Sequence, residues 1–160
     1  LIESDSLSYE EAKSMLNFFE TSYPKEKVIF VGIDDHFKGL RKKKNFTFLG
    51  NICLGELASL IAVSKFGITF NKSSFPFFAL EMFSMGRSVI SFESELNREI
   101  FSHDKSLSME FRDMIHLKEE MLPKMLCEWN WFDEKKLNSI AKKFNENRYY
   151  EEVKRFLKDF

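Results

Sequence analysis

The clearest pattern of apolar and polar positions lies between residues 66 and 94. A short apolar run at 66–70 has the length of a strand, and a polar turn at 71–74 follows it. A stretch of helical character comes next and ends at Gly86, and a second apolar run occupies 88–92. Strand, turn, helix, glycine and strand in this order predict a βαβ unit with parallel strands and a right-handed crossover.

The helix of this unit has clear start and stop signals. Ser73 or Ser74 can cap its N-terminus, and Pro76 falls in the first turn, where a missing backbone N–H costs nothing. Gly86 suits the left-handed position that ends a helix. Apolar residues on more than one side predict a largely buried helix, so its acid, Glu81, is unusual. Glu81 is either a structural acid, bound by backbone N–H groups or a lysine, or part of a ligand site.

The rest of the chain predicts further elements of the same kind. Ser8 begins a helix through a capping box that Glu11 completes, and this helix must end before Pro24. The other predicted strands lie at 28–31, 46–49 and 114–117, and the other helices at 55–65, 118–132, 133–147 and 148–160. A strand before the first helix is either missing or reduced to residues 1–2. Together these elements predict an α/β domain of Rossmann type, with a mainly parallel sheet flanked by helices.

Composition narrows the classes of function. A chain of 160 residues is one domain with a proper core. Its net charge of −1 gives no overall field that favours nucleic acid. Cys53 and Cys127 fit a reducing compartment and have no metal-type partner nearby. The sequence contains no signal peptide, membrane span, dinucleotide fingerprint or P-loop lysine. We therefore expect a cytoplasmic protein without a metal, a cofactor or a nucleic-acid partner.

Three polar segments are weaker candidates for a site. The basic run at 41–44 is either a contact for phosphate or for the inner face of a membrane, or a solvated loop. Asn51 follows a strand at the end where open α/β sheets bind ligands, and is equally well explained as a turn residue. His103 and Asp104 suggest acid–base chemistry, but adjacent residues rarely face one another and no nucleophile motif accompanies them.

Residues 72–90 resemble the donor-binding signature of nucleotide-sugar glycosyltransferases with the GT-B fold, in their large retaining group 1 family. That signature reads Glu-Gly-Phe-Pro-Asn, apolar residues, Glu-Ala-Met-Ala, two variable positions about a glycine, and Pro-Val-Ile. The positions that match it without a gap are Phe75, Pro76, Leu80, Glu81, Met82, Phe83, Gly86, Val89 and Ile90. The strands at 27–32 and 46–51 match the family's preceding strands in order and spacing, so the resemblance covers roughly residues 27–93.

The resemblance implies roles for particular positions. Glu81 corresponds to the second glutamate of the family's paired motif, which hydrogen-bonds the ribose hydroxyls. The first glutamate contacts the transferred sugar, and its position here is Ser73, with Ser74 in place of the usual glycine. Because serine cannot supply a carboxylate, the donor differs, donor binding is weaker, or another acid substitutes. Glu93 and Glu95 could be that acid, although a solvated helix N-terminus explains them as well.

The resemblance also implies an activity, the transfer of a sugar from a nucleoside diphosphate sugar to a glycan or lipid-linked acceptor. The implied donor-binding residues are Glu81, Ser73, Ser74, Phe75 and Asn51, with the turn before the helix holding phosphate oxygens and Asn51 beside the base. No catalytic residue is assigned, since the acceptor site would lie in an N-terminal domain absent from this chain. The family also has basic residues after its first strand, and here these either precede Leu1 or are lost. We expect the chain alone to be inactive.

Two other functions stay open. One is a non-catalytic domain of the same fold with a binding or structural role, which Ser73 favours. The other is an unrelated flavodoxin-like binding or regulatory domain, which requires a different order of strands in the sheet.

Overall fold

The computed structural model describes residues 1–4, 6–32, 40, 45–72, 77–95, 97–98 and 108–127. The strands are β1 (Ile2–Glu3), β2 (Val28–Val31), β3 (Phe46–Phe48), β4 (Phe66–Thr69), β5 (Ser88–Phe92) and β6 (Ser108–Phe111). The helices are α1 (Tyr9–Ser22), α2 (Leu54–Val63) and α3 (Phe77–Ser84), then α4 (Met114–His116), a π-helical turn (Leu117–Met121) and α5 (Leu122–Cys127). The predicted βαβ unit is confirmed as β4, α3 and β5.

The described strands form one parallel sheet in the order β3-β2-β1-β4-β5-β6. The order reverses between β1 and β4, and this boundary is the switch point outside which open α/β sheets bind ligands, at the carboxyl ends of the strands. The order is that of two mononucleotide-binding halves. The Rossmann-type prediction is therefore confirmed, and the order does not fit the flavodoxin-like alternative.

The strand expected before α1 is present and lies at the centre of the sheet. Ile2 is opposite Phe30 on one side and Ile68 on the other. The ladder continues beyond both ends of β1, because Ile68 N donates to the Leu1 carbonyl (2.8 Å) and Ser4 N donates to the Val31 carbonyl (2.8 Å). A strand of two residues is thus held by neighbours on both sides.

Helices cover both faces of the sheet, which gives three layers. On one face, α1 and the helical stretch after β6 bury apolar side chains against Phe30, Ile68 and Ile90. On the other face, α2 and α3 pack against Val31 and Val89. Successive residues of β2 and of β5 therefore enter opposite cores, as expected for parallel strands buried on both faces.

Helix termini follow the sequence signals. Ser8 Oγ accepts a hydrogen bond from Glu11 N (3.3 Å), and the Glu11 carboxylate accepts from Ser8 N (2.9 Å), so the capping box is confirmed. At the end of α3, Gly86 has φ of 68° and donates to the Phe83 carbonyl (3.0 Å). Arg87 N donates to the Met82 carbonyl (2.8 Å), which completes a Schellman motif.

The strand predicted at 114–117 is wrong, because these residues are helical and the last described strand is Ser108–Phe111. Asp113 caps the helix by accepting from His116 N (2.8 Å), and Ile115 points outward at 63% exposure. A run of four residues is too short to separate strand from helix by periodicity. The helix predicted from 118 is confirmed as far as 127, and 128–160 lie outside the described residues. None of the helices described could span a membrane.

Candidate functional site

A cavity of about 190 Å³ opens at the switch point, beyond the carboxyl ends of β1 and β2. The polar side chains that line it, among the residues described, are Glu3, Asn51 and Glu81. Apolar side chains from two helices and a loop form the opposite wall, and they include Ile52, Leu57 and Phe77. The cavity therefore combines carboxylates with an apolar surface at the edge of the sheet where ligands bind.

Glu81 lies on α3 and lines this cavity. The side chain is half-buried, and burial raises the pKa of its carboxyl above the ordinary value of 4.5. Among the described residues, no hydrogen-bond donor or cation pairs with the carboxylate. The structural explanation, an acid bound by backbone N–H groups or a lysine, thus finds no support in this part of the chain.

Asn51 is exposed at the mouth of the same cavity. It follows Gly50, whose φ is 63°, and Gly50 accepts a hydrogen bond from Gly32 N (2.9 Å). Gly32 has φ of 117°, so both glycines adopt a left-handed backbone where β2 and β3 end. Asn51 is therefore a turn residue that also borders the crevice, and the structure brings it together with Glu81.

Glu3, at the carboxyl end of β1, is the site residue that sequence reasoning missed. The Thr69 hydroxyl, at the end of β4, donates to the Glu3 carboxylate across the switch point. Thr69 Oγ1 in turn accepts from Asn71 N (3.3 Å). The position of β1 could have indicated Glu3. If residues 1–2 form the central strand of the sheet, the residue after them lies at the switch point.

The residues that follow β1 are Ser-Asp-Ser-Leu-Ser at 4–8. None of them is basic, and Ser4 Oγ is engaged with the Val31 carbonyl (2.8 Å). A cation does lie at the carboxyl edge, since Lys72 Nζ is 4.5 Å from the centre of the Phe92 ring.

Glu93 and Glu95 do not line the cavity. The Glu93 carboxylate pairs with Arg98 five residues later. Ser94 Oγ accepts from Asn97 N (3.1 Å), and Glu95 is exposed at the start of a helical turn. Both acids therefore belong to a solvated helix N-terminus, the second of the two explanations given for them.

Several predicted positions lie outside the described residues. Among the donor-site predictions these are Ser73, Ser74 and Phe75. The basic run at 41–44 and the pair His103 and Asp104 are also outside. All of these remain predictions from the sequence.

A larger cavity, of about 440 Å³, lies at the opposite edge of the sheet, near the amino ends of β2 and β4. Lysines line it, but the Lys65 ammonium is paired with Glu26 (2.8 Å). The C-terminus of α2, with its negative dipole end, also lies there, at Val63 and Ser64. We favour the smaller cavity, because it is at the carboxyl ends of the strands and contains Glu81, which has no partner in the described part of the chain.

No family model and no curated protein matches this chain. Among solved structures, HepE from Anabaena in complex with UDP and glucose superposes with a TM-score of 0.76 at 13% identity over 99% of this chain. The complex of HepE with UDP-glucose gives a TM-score of 0.73, also at 13% identity over 99% of this chain. Sucrose-phosphate synthase from Thermosynechococcus elongatus gives 0.75 at 15% identity, again over 99% of this chain.

This chain spans about half the length of these structural neighbours, namely 48% of HepE in both complexes and 44% of the synthase. At such low identities the likeness shows the fold alone. The sheet order and these superpositions agree with the fold predicted from the sequence: a Rossmann-like domain that corresponds to one half of a GT-B fold.

Proposed function

We propose that this chain is the donor-binding domain of a glycosyltransferase and binds a nucleoside diphosphate sugar at the switch point. The proposal depends on the position of Glu81 in a cavity at the carboxyl ends of the strands. Its carboxylate is half-buried there and has no partner among the described residues. Burying a carboxylate costs free energy unless a ligand donates hydrogen bonds to it, and the two hydroxyls of a ribose are suitable donors. The complexes of HepE with UDP, glucose and UDP-glucose support this choice of ligand.

The size of the cavity indicates how much of the ligand it holds. A volume of about 190 Å³ is below the roughly 300–1,000 Å³ of sites that enclose a whole ligand. It suits one ring, and we assign the ribose to it, next to Glu81, with the base beside Asn51. We propose that the diphosphate lies outside the cavity and is bound by backbone N–H groups at the N-terminus of α3. The resemblance assigns Ser73, Ser74 and Phe75 to the same donor site.

The reaction that we propose is transfer of the sugar to a glycan or lipid-linked acceptor. As the glycosidic bond breaks, negative charge develops on the diphosphate, and the α3 dipole and Lys72 can stabilise it. The acceptor and any general base belong to an N-terminal domain of the same enzyme. We propose a cytoplasmic location, with the basic run at 41–44 as the contact to the inner face of a membrane.

Calorimetric titration with UDP, ADP and GDP, and with UDP-glucose, tests the proposal. We expect one of these nucleotides to bind, and Glu81→Gln to weaken it about tenfold or more, since a hydrogen bond to a charged group is lost. Glu119→Gln is the matched control, because Glu119 is exposed and lies on the π-helical turn, outside the cavity. Equal affinities for the Glu81 and Glu119 variants would contradict the proposal.

The non-catalytic role remains the second candidate, because Ser73 lacks the carboxylate that the resemblance calls for. It is tested with a chain that also contains an N-terminal domain. If that longer chain binds no nucleotide at millimolar concentration, the non-catalytic role is favoured over the transferase.

A further inference from the structure

Two of the described residues that line the switch-point cavity are carboxylates. Glu81 approaches it from α3, and Glu3 approaches it from the end of β1. The cavity has room for one ring-sized group, so a ring that fills it meets both side chains. This arrangement goes beyond the proposed role of Glu81 and assigns a role to Glu3.

The charge of the cavity indicates what kind of group fits. The charged side chains that line it in the described part of the chain are Glu3 and Glu81, and both are acids. A phosphate would be repelled by two carboxylates in a partly desolvated space. A neutral ring with hydroxyl groups can instead donate hydrogen bonds to both, and such bonds to charged acceptors are the stronger kind.

The position of Glu3 is fixed by its neighbours rather than by solvent. The buried Thr69 hydroxyl, which is 1% exposed, donates to one carboxylate oxygen of Glu3. This bond orients one oxygen of the carboxylate, and a carboxylate can accept about four hydrogen bonds in all. The apolar wall at Phe77, which is 52% exposed, faces the same space and suits the C–H face of a sugar ring.

We propose that Glu3 and Glu81 bind the same neutral, diol-bearing ring of the ligand from two sides, so that Glu3 is a second ring-binding residue. The proposal rests on the proposed function in that the ring is identified as the ribose of the nucleotide. Because both charged groups that line the cavity in the described part of the chain are negative, we expect the phosphates to contribute little to binding inside it.

The test is a calorimetric comparison of nucleosides with their diphosphates. Uridine, adenosine and guanosine are titrated beside UDP, ADP and GDP into the wild-type protein, Glu3→Gln, Glu81→Gln, the double variant and the control Glu119→Gln. We expect each single variant to weaken the nucleoside about tenfold. The double variant should lose less than the product of the two factors, because both residues hold one ring. Thermal unfolding of each variant verifies that Glu3→Gln leaves the sheet folded.

A different effect is expected for the diphosphate. Glu3→Gln should weaken it less than the nucleoside, because the substitution also removes a negative charge that repels the phosphates. If Glu81→Gln weakens binding and Glu3→Gln leaves nucleoside affinity within twofold of wild type, the role of Glu3 is wrong and the proposed function stands. If nucleosides bind through both acids but no diphosphate binds, the proposed function is wrong and the ring site stands. If neither binds, both are wrong.

Discussion

The Thr69 hydroxyl donates a hydrogen bond to the Glu3 carboxylate, and this contact joins the carboxyl ends of β4 and β1. The two strands belong to different halves of the sheet, and the chain between them includes β2, β3 and α2. The bond therefore lies on the boundary at which the strand order reverses. Because this bond holds Glu3 beside the cavity that we propose as the ligand site, we expect little ordering of its side chain at the moment of binding.

Thr69→Val tests the contribution of this bond. Valine has nearly the shape of threonine, but it cannot donate to Glu3 or accept from Asn71 N. We expect a loss of about 1–2 kcal/mol in the free energy of unfolding, measured by urea denaturation, and weaker nucleoside binding. Thr69→Ser keeps the hydroxyl and should retain the affinity. If the valine variant binds nucleosides as tightly as the serine variant, Thr69 does not orient Glu3 for binding.

Gly67→Ala tests the close packing of α3 on β4. A Cβ at Gly67 would lie 2.8 Å from Phe78 Cε1 and 3.0 Å from Met82 Cε, so the Phe78 ring must move where α3 packs on β4. We expect a destabilisation of about 1–3 kcal/mol, as for other overpacked cores, and weaker nucleotide binding because α3 carries Glu81. Gly55→Ala is the control, since no atom lies within 4 Å of its added Cβ. It should raise helix stability by up to about 1 kcal/mol and leave binding unchanged. Equal stability of the two variants would contradict the packing argument.

The raised pKa of Glu81 predicts how stability depends on pH. Burial disfavours the charged carboxylate in the folded state, so the folded protein holds this proton more tightly than the unfolded chain. The contribution of Glu81 to stability is fully present below its ordinary pKa of 4.5 and is lost as pH rises through the higher folded value. Relative to wild type, Glu81→Gln should thus be equally stable at low pH and more stable at neutral pH.

The size of this effect is small, less than about 1 kcal/mol, because a half-buried group is still screened by solvent. It is measured by urea denaturation of both proteins between pH 4 and pH 8. A wild-type protein that gains stability over Glu81→Gln as pH rises would show that the ionised carboxylate has a partner in the folded state.

The alternation of elements was readable from the sequence because each local signal agrees with the fold. Ser8 with Glu11 begins α1, Gly86 ends α3, and the apolar runs of β2 and β5 have the length of buried strands. Glu81 is predicted as a site residue for a different reason, namely that an acid is rare among apolar helix positions.

Glu3 could not be found in the same way. A strand of two residues carries almost no periodicity, and the neighbours that pair with β1 are about 30 and 65 positions away in the chain. The central position of β1 follows from the order of strands in the sheet, and this order cannot be derived from local sequence patterns. The error at 114–117 has the opposite cause: a short apolar run is compatible with a strand, and the helix that forms there begins at the Asp113 cap.

We propose that the ligand site lies at the carboxyl edge of the sheet and not in the larger cavity at the amino edge. Amide chemical-shift mapping by NMR during titration with the nucleoside diphosphate that binds tests this claim directly. We predict that the largest shifts occur at Gly32, Asn51 and Glu81, around the switch point. Shifts concentrated at Glu26 and Lys65, which line the amino-edge cavity, would contradict it.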